Sequence, residues 1–135
     1  IGLNVKQEFQ EAAAYFSTLR GGDFETAMDF QCGYIVDPDL DLYKFQSRDI
    51  SHANYGRYTD RILDDLYQKQ SRALDPDERR KFVRAFERRL LDEQAYVMYV
   101  LWWWRIIPYW RTLQGYKTTT NHYVEPDLEV YWLSP

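Results

Sequence analysis

At the start of the chain Leu3, Val5 and Gln7 alternate against Asn4, Lys6 and Glu8, the period-2 pattern of a half-buried strand. From Phe9 the spacing lengthens. Phe9, Ala13, Phe16 and Leu19 stack on one helical face, and Gly21 with Gly22 supplies a left-handed stop. Residues 24–31 return to alternation, with Phe24, Thr26, Met28 and Phe30 on one side and Ala27 on the other; Asp29 stands oddly on that second side. Strand, helix and strand in such quick succession predict a βαβ crossover, and with it parallel neighbouring strands and an α/β layer.

Between Cys32 and Tyr58 the periodicity breaks into Gly33, Pro38, several Asp, Ser47, Ser51, Asn54 and Gly56, which reads as a loop of functional length with a helical turn over residues 39–45. Thr59 then serves as a cap for a helix whose inner face is Ile62, Leu63, Leu66 and Tyr67, with Asp64, Asp65 and Lys69 towards water. Asp75, Pro76 and Glu78 announce the next helix. An Asp cap accepts orphan N–H groups, Pro at the first helical position gives up no needed donor, and Glu three residues on completes a capping box. Phe82, Val83, Phe86 and Leu90 form its apolar stripe, and Arg79, Arg80, Lys81, Arg88 and Arg89 read as a solvated face. Residues 96–107 are a near-continuous run of β-branched and aromatic side chains, predicting a strand covered on both faces and limited by Pro108. The remainder is turn-rich and ends in an apolar patch over residues 130–133.

Composition narrows the classes. The 135 residues, 45% hydrophobic and 28% charged, suit one domain with a core. Net charge is −4 with both signs interleaved, which speaks against nucleic acid and anionic membranes as partners. The longest apolar run, residues 95–104, is about half of the roughly 20 residues that cross a bilayer. One cysteine, Cys32, builds neither an internal disulfide nor a multi-thiolate metal site. Five Trp, twelve Tyr and seven Phe make the chain 18% aromatic, an excess suited to a cleft or surface that meets a partner. No secretory signal opens the chain, which starts at Ile1, and the expectation is a piece of something longer.

The order of these elements and their wording resemble the family 5 extracellular solute-binding proteins, the dipeptide and oligopeptide type that feed bacterial ABC importers. GGDFETAMDFQCGYIVDP over residues 21–38 is similar to the family's GDFD strand and its Gly/Ala-Asp-Tyr-x-x-Pro loop. Asn54-Tyr55-Gly56-Arg57-Tyr58 resembles NYSGY, residues 62–67 an LD-L helix, and Asp75-Pro76-Asp77-Glu78-Arg79 the DPEKR start of a long amphipathic helix. Residues 95–109 stand where the family has its P-hydrophobic-YY strand, and Tyr131-Trp132-Leu133 resembles its VWL ending. The resemblance covers almost the whole chain. It implies the α/β C-terminal lobe of a two-lobed, type II-like periplasmic binding protein, a mixed sheet flanked by helices. Residues 1–104 would belong to the second lobe, and residues 105–135 would cross the hinge and return to pack on the first. The implied location is periplasmic or extracellular, with a lipid anchor an option. The implied partners are a peptide or another elongated solute, oligosaccharides included, the ABC permease subunits and the remaining lobe; alone, such a piece is expected to dimerise over its uncovered apolar surface.

The loop of residues 31–38 is the candidate ligand contact, through Gln31, Cys32, Gly33, Tyr34 and Asp37, joined by Trp102 from the aromatic run. In the family the Asp of the Gly/Ala-Asp-Tyr motif neutralises the ligand's amino terminus; here the matching position is Tyr34. A phenol ring offers a cation about 0.5–2 kcal/mol, a poor substitute for a carboxylate in a closing cleft. A ligand with a blocked or non-amine end therefore fits better, Asp37 is an alternative reach, and packing of Tyr34 on the core is the competing role. Trp102, Trp103 and Trp104 with Arg105 resemble a stacking wall, although alternation lets at most two of the three rings face one cleft.

Asp37, Asp39 and Asp41 have the alternate-acid spacing of a calcium loop, but Leu42 stands at the required Gly and Arg48 at the required Glu, so these acids read as the start of a short helix and no metal is expected. Cys32 with His52 or His122 lacks the elbow and orienting acid of a nucleophile pair, so neither catalysis nor a cofactor is expected. The expected function is solute capture by lobe closure; the alternative from another class is a self-contained aromatic-rich protein-interaction domain.

Overall fold

Three of the helices are started by aspartates. In the computed structural model, which describes residues 2, 4–30, 37–101, 106–117 and 128–134, Asp37 caps α2 (Pro38–Tyr43), Asp60 caps α3 (Arg61–Arg72) and Asp75 caps α4 (Pro76–Arg88). Each carboxylate accepts first-turn N–H groups that have no partner within the helix. The Asp75 signal works as its spacing predicts: the side chain accepts from Glu78 N at 2.7 Å, with Pro76 at the first helical position. At α3 the cap is one residue later than the sequence suggests. Asp60 accepts from Ile62 N and Leu63 N, and Thr59 stays outside.

Before these lies α1 (Ala12–Gly21), capped by Glu11 and stopped by Gly22 at φ 69°. Gly22 N–H donates to Leu19 O and Asp23 N–H to Thr18 O, the paired closure that a left-handed residue after the helix makes. Helix α1 is shorter than the apolar spacing predicts: Phe9 precedes it and is exposed, and only Leu19 on it is buried.

The core lies among α2, α3, α4 and the π-helical turn Arg89–Glu93 that continues α4. Leu42, Phe45, Leu63, Phe86 and Leu90 are buried there, with Tyr58, Leu66, Tyr67, Val83, Leu91, Tyr96 and Val97 packed around them. Val83, Phe86 and Leu90 of the stripe expected of α4 therefore face this core, whereas Phe82 is half-buried outside it. On α3, Ile62 is exposed rather than inner, and Asp64 is buried rather than solvated. Ser47 explains Asp64: its N–H and Oγ donate to the two carboxylate oxygens at 2.8 and 2.6 Å, and Asp60 N–H donates to the same Oγ. A second knot sits beside it. Asp60 Oδ2 accepts from Arg89 Nε at 2.9 Å and from Tyr96 OH at 3.4 Å, and the Tyr96 ring stacks on Tyr58 at 3.7 Å, which pushes the Tyr58 phenol up through burial first and the neighbouring Tyr96 second.

Residues 4–8, 24–30 and 97–101, read from the sequence as strands, belong to no sheet among the described residues. The sheet that is described has two short strands, β1 (Leu113–Gln114) and β2 (Trp132–Leu133), paired antiparallel with Leu113 opposite Leu133, and a 3-10 turn at Leu128–Val130 precedes β2. Alternation and β-branching mark which residues suit a pleated surface, but a strand exists only when a neighbour supplies the ladder.

Candidate functional site

Of the six candidate ligand residues, Gln31, Cys32, Gly33, Tyr34 and Trp102 lie outside the described residues, and Asp37 lies within them. Asp37 ends the candidate loop and is fully engaged. Its Oδ1 accepts the capping bond from Asp39 N–H at 2.9 Å, and Arg79 donates from both terminal nitrogens, at 2.6 Å to Oδ1 and 3.1 Å to Oδ2. Such a fork-to-fork pair is charge-assisted and geometrically specific. The Arg79 guanidinium holds the Asp37 carboxyl below its ordinary value of 3.8, helped by the Asp39 N–H, and Asp37 in turn raises Arg79.

A polar relay continues from there. Arg79 Nε donates to Gln70 Oε1 at 3.1 Å, Gln70 Nε2 donates to Asp39 Oδ1 at 2.7 Å, and Tyr67 OH donates to Asp39 Oδ2 at 3.1 Å. Gln70 is completely buried, so both ends of its amide are used where water does not reach. The Tyr67 phenol is pushed up to about 12, by burial first and by its bond to Asp39 second. The network joins the start of α2, the last turns of α3 and the first turn of α4.

The other side of the candidate loop is held in the same manner. Asp29, whose place on the wrong side of an alternating segment had no sequence explanation, pairs with Lys44 Nζ at 2.9 Å, and that ammonium also lies 5.3 Å from the Tyr55 ring. Tyr15 OH donates to Met28 O, tying the same segment to α1. Both described flanks of residues 31–36 are thus ion-paired to the helical body, Asp29 to the residue after α2 and Asp37 to α4.

What these groups can do chemically is hold charge and orient a backbone. Among the described residues no group of three or more His, Cys, Asp and Glu side chains is placed to hold a metal. Asp37 and Asp39 point into hydrogen bonds with Arg79, Gln70 and Tyr67. Beside Arg79 an open depression of about 240 Å³ is lined by Pro38, Pro76, Arg79, Arg80 and Val83. That is smaller than the roughly 300–1,000 Å³ usual for an enclosed small-molecule site. Lys44, Arg79, Gln70 and Tyr67 are the residues that sequence reasoning missed. Arg79 is one of the α4 cations that read as a solvated face, and only Asp29 carried a visible signal of a distant partner.

No protein family, curated protein or solved structure matches the chain. No helix among the described residues is long and apolar enough to cross a membrane.

Proposed function

We propose that this chain is part of the C-terminal lobe of the substrate-binding component of an ABC importer, an α/β lobe that closes with a second lobe over a peptide or similar elongated solute. The order of motifs suggests the family, and the observation that carries the reading is the balance of apolar surface. Six large apolar side chains are buried among the described residues, whereas twenty-one stay exposed, including Met28, Phe30, Met98, Val100, Leu101, Ile106 and Trp132. Single exposed apolar side chains are ordinary, but runs such as residues 98–101 are what a sheet or partner lobe would cover.

Ligand contacts made only in the closed form would shift the hinge equilibrium towards the state that the permease accepts. Gln31, Cys32, Gly33, Tyr34 and Trp102 would supply those contacts. The engagement of Asp37 by Arg79 supports a ligand without a free amine at this position, since Tyr34 stands where the family has its carboxylate and the next acid along is already neutralised.

The test compares the isolated chain with its parent gene product by light scattering and by thermal shift against free-amine peptides, N-acetylated peptides and oligosaccharides. A parent stabilised by N-acetylated peptides or oligosaccharides, with no shift in the isolated chain, supports the reading. An isolated chain that is a stable monomer, has no larger parent and shifts with none of these solutes overturns it in favour of a protein-interaction domain.

A further inference from the structure

Two arginines of the loop between α2 and α3 meet the end of α1. Arg48 donates from Nη2 to Arg20 O at 3.4 Å, and from Nη1 to His52 O and, at 3.3 Å, to Asn54 O. Asn54 O also accepts from the Arg57 N–H at 3.2 Å, so one carbonyl anchors both residues. The Arg57 side chain runs onto the same turn of α1: a Cβ on Gly22 would stand 2.6 Å from its Cδ and 2.9 Å from its Cζ. Glycine at this position thus makes room for a guanidinium as well as closing the helix. Arg57 is held at φ 55°, a left-handed backbone that arginine adopts only at a cost in folding energy. Such strain persists where the surrounding structure imposes it, and it collects at ligand clamps.

Neither guanidinium is ion-paired among the described residues, and that of Arg57 is exposed and donates no hydrogen bond there, in a chain with twenty-one acidic residues. Arg61, Arg79 and Arg89, by contrast, each reach a carboxylate. Asp23, the acid beside this turn, is folded back on Gly21, where a Cβ would stand 3.3 Å from its Cγ. The carbonyl end of a helix carries only about half a negative charge, against two full positive ones here. We infer that Arg57, backed by Arg48, is a binding site for an oxyanion, a carboxylate or phosphate group. Arg48 spends its donors on three carbonyls and contributes charge, while Arg57 keeps its planar fork of N–H groups for two oxygens of the ligand. The site does not depend on lobe closure.

Inorganic phosphate and succinate, each titrated into the full chain against sodium chloride of equal ionic strength, test the site. The readouts are the Arg57 Nε–Hε NMR resonance and Tm. The expected result is a saturable shift of that resonance and a rise in Tm; phosphate acting alone assigns the site to phosphate groups, and succinate acting alone to carboxylates. Arg57→Asn, which keeps a residue suited to the left-handed backbone, should weaken binding about tenfold and leave Tm without anion unchanged or raised. Arg84→Gln, which removes an exposed cation of α4, should leave binding unchanged. No response beyond that of chloride, or equal binding by Arg57→Asn and wild type, would overturn the inference. A fall in the Tm of Arg57→Asn without anion would make Arg57 a support of α1 and overturn it as well.

Discussion

Arg79 and Asp37 stand forty-two residues apart in sequence and meet through two hydrogen bonds from one guanidinium to one carboxylate. The pair joins the first turn of α4 to the cap of α2. Because Arg79 keeps the folded-state pKa of Asp37 below its ordinary value, the pair contributes its full stability above that ordinary value and loses it as pH falls through the lowered one. Thermal melts of wild type and Asp37→Asn should therefore differ at neutral pH and converge in strong acid. A double-mutant cycle with Arg79→Gln should give a coupling of about 1 kcal/mol, the upper end for a partly exposed pair, and Arg79→Lys should recover only part of it. Equal melts of the two at neutral pH would show that Asp37 acts through its cap alone.

Asp60 serves three partners at once, the first turn of α3, Arg89 and Tyr96. Asparagine caps helices about as well as aspartate but carries no charge for Arg89. Asp60→Asn should thus destabilise less than Asp60→Ala, for which the lost cap and newly unpaired groups predict about 2–4 kcal/mol by denaturant unfolding. Equal losses in the two variants would mean that the cap contributes little.

Ser47 is completely buried, and its hydroxyl both donates to Asp64 and accepts from Asp60 N–H. Ser47→Ala should cost about 1–3 kcal/mol, since it leaves the Asp60 N–H without its acceptor and Asp64 Oδ2 with Arg61 as its remaining donor. Ser47→Ala combined with Asp64→Ala should cost less than the sum of the two, measured by urea midpoints at constant slope.

Gly22 closes α1 at φ 69°, and a Cβ there would come within 2.6 Å of Arg57 Cδ. Gly22→Ala should therefore lose at least about 1 kcal/mol, from the left-handed backbone alone. Gly22→Asn, a residue that tolerates the left-handed region, serves as the comparison and should lose less. Equal Tm losses in the two would show that conformation at Gly22 is not the cause.

The helical body was legible because its signals are local. Asp75, Pro76 and Glu78 announce α4 within four residues, and Val83, Phe86 and Leu90 mark its inner face by spacing alone. Asp64 was misread because its partner, Ser47, lies on a loop that no periodicity connects to α3. The same holds for the candidate site. Asp29 looked misplaced until Lys44 was beside it, and Arg79 looked solvated until Asp37 was. Pairing across a fold leaves its mark at two distant positions, and neither one announces the other. Residues 4–8, 24–30 and 97–101 alternate or run apolar as strands do, but the ladder depends on a neighbour that local spacing cannot specify.

In the helical body, α2 packs on α3, α3 on α4, and α4 on its own π-helical extension, so its helices meet mainly their neighbours along the chain. Such contacts close short loops and lose little chain entropy before they are rewarded, which favours rapid assembly. Residues 37–97 should consequently form the earliest and most persistent unit. In hydrogen exchange, the amides of Leu63 and Phe86 should be the last to open and those of residues 4–10 and 106–117 the first. A uniform exchange rate across the chain would contradict this order. Folding would then run outward from the three aspartate-capped helices, and the apolar segments on either side would wait for their covering surface after the body that carries them is already formed.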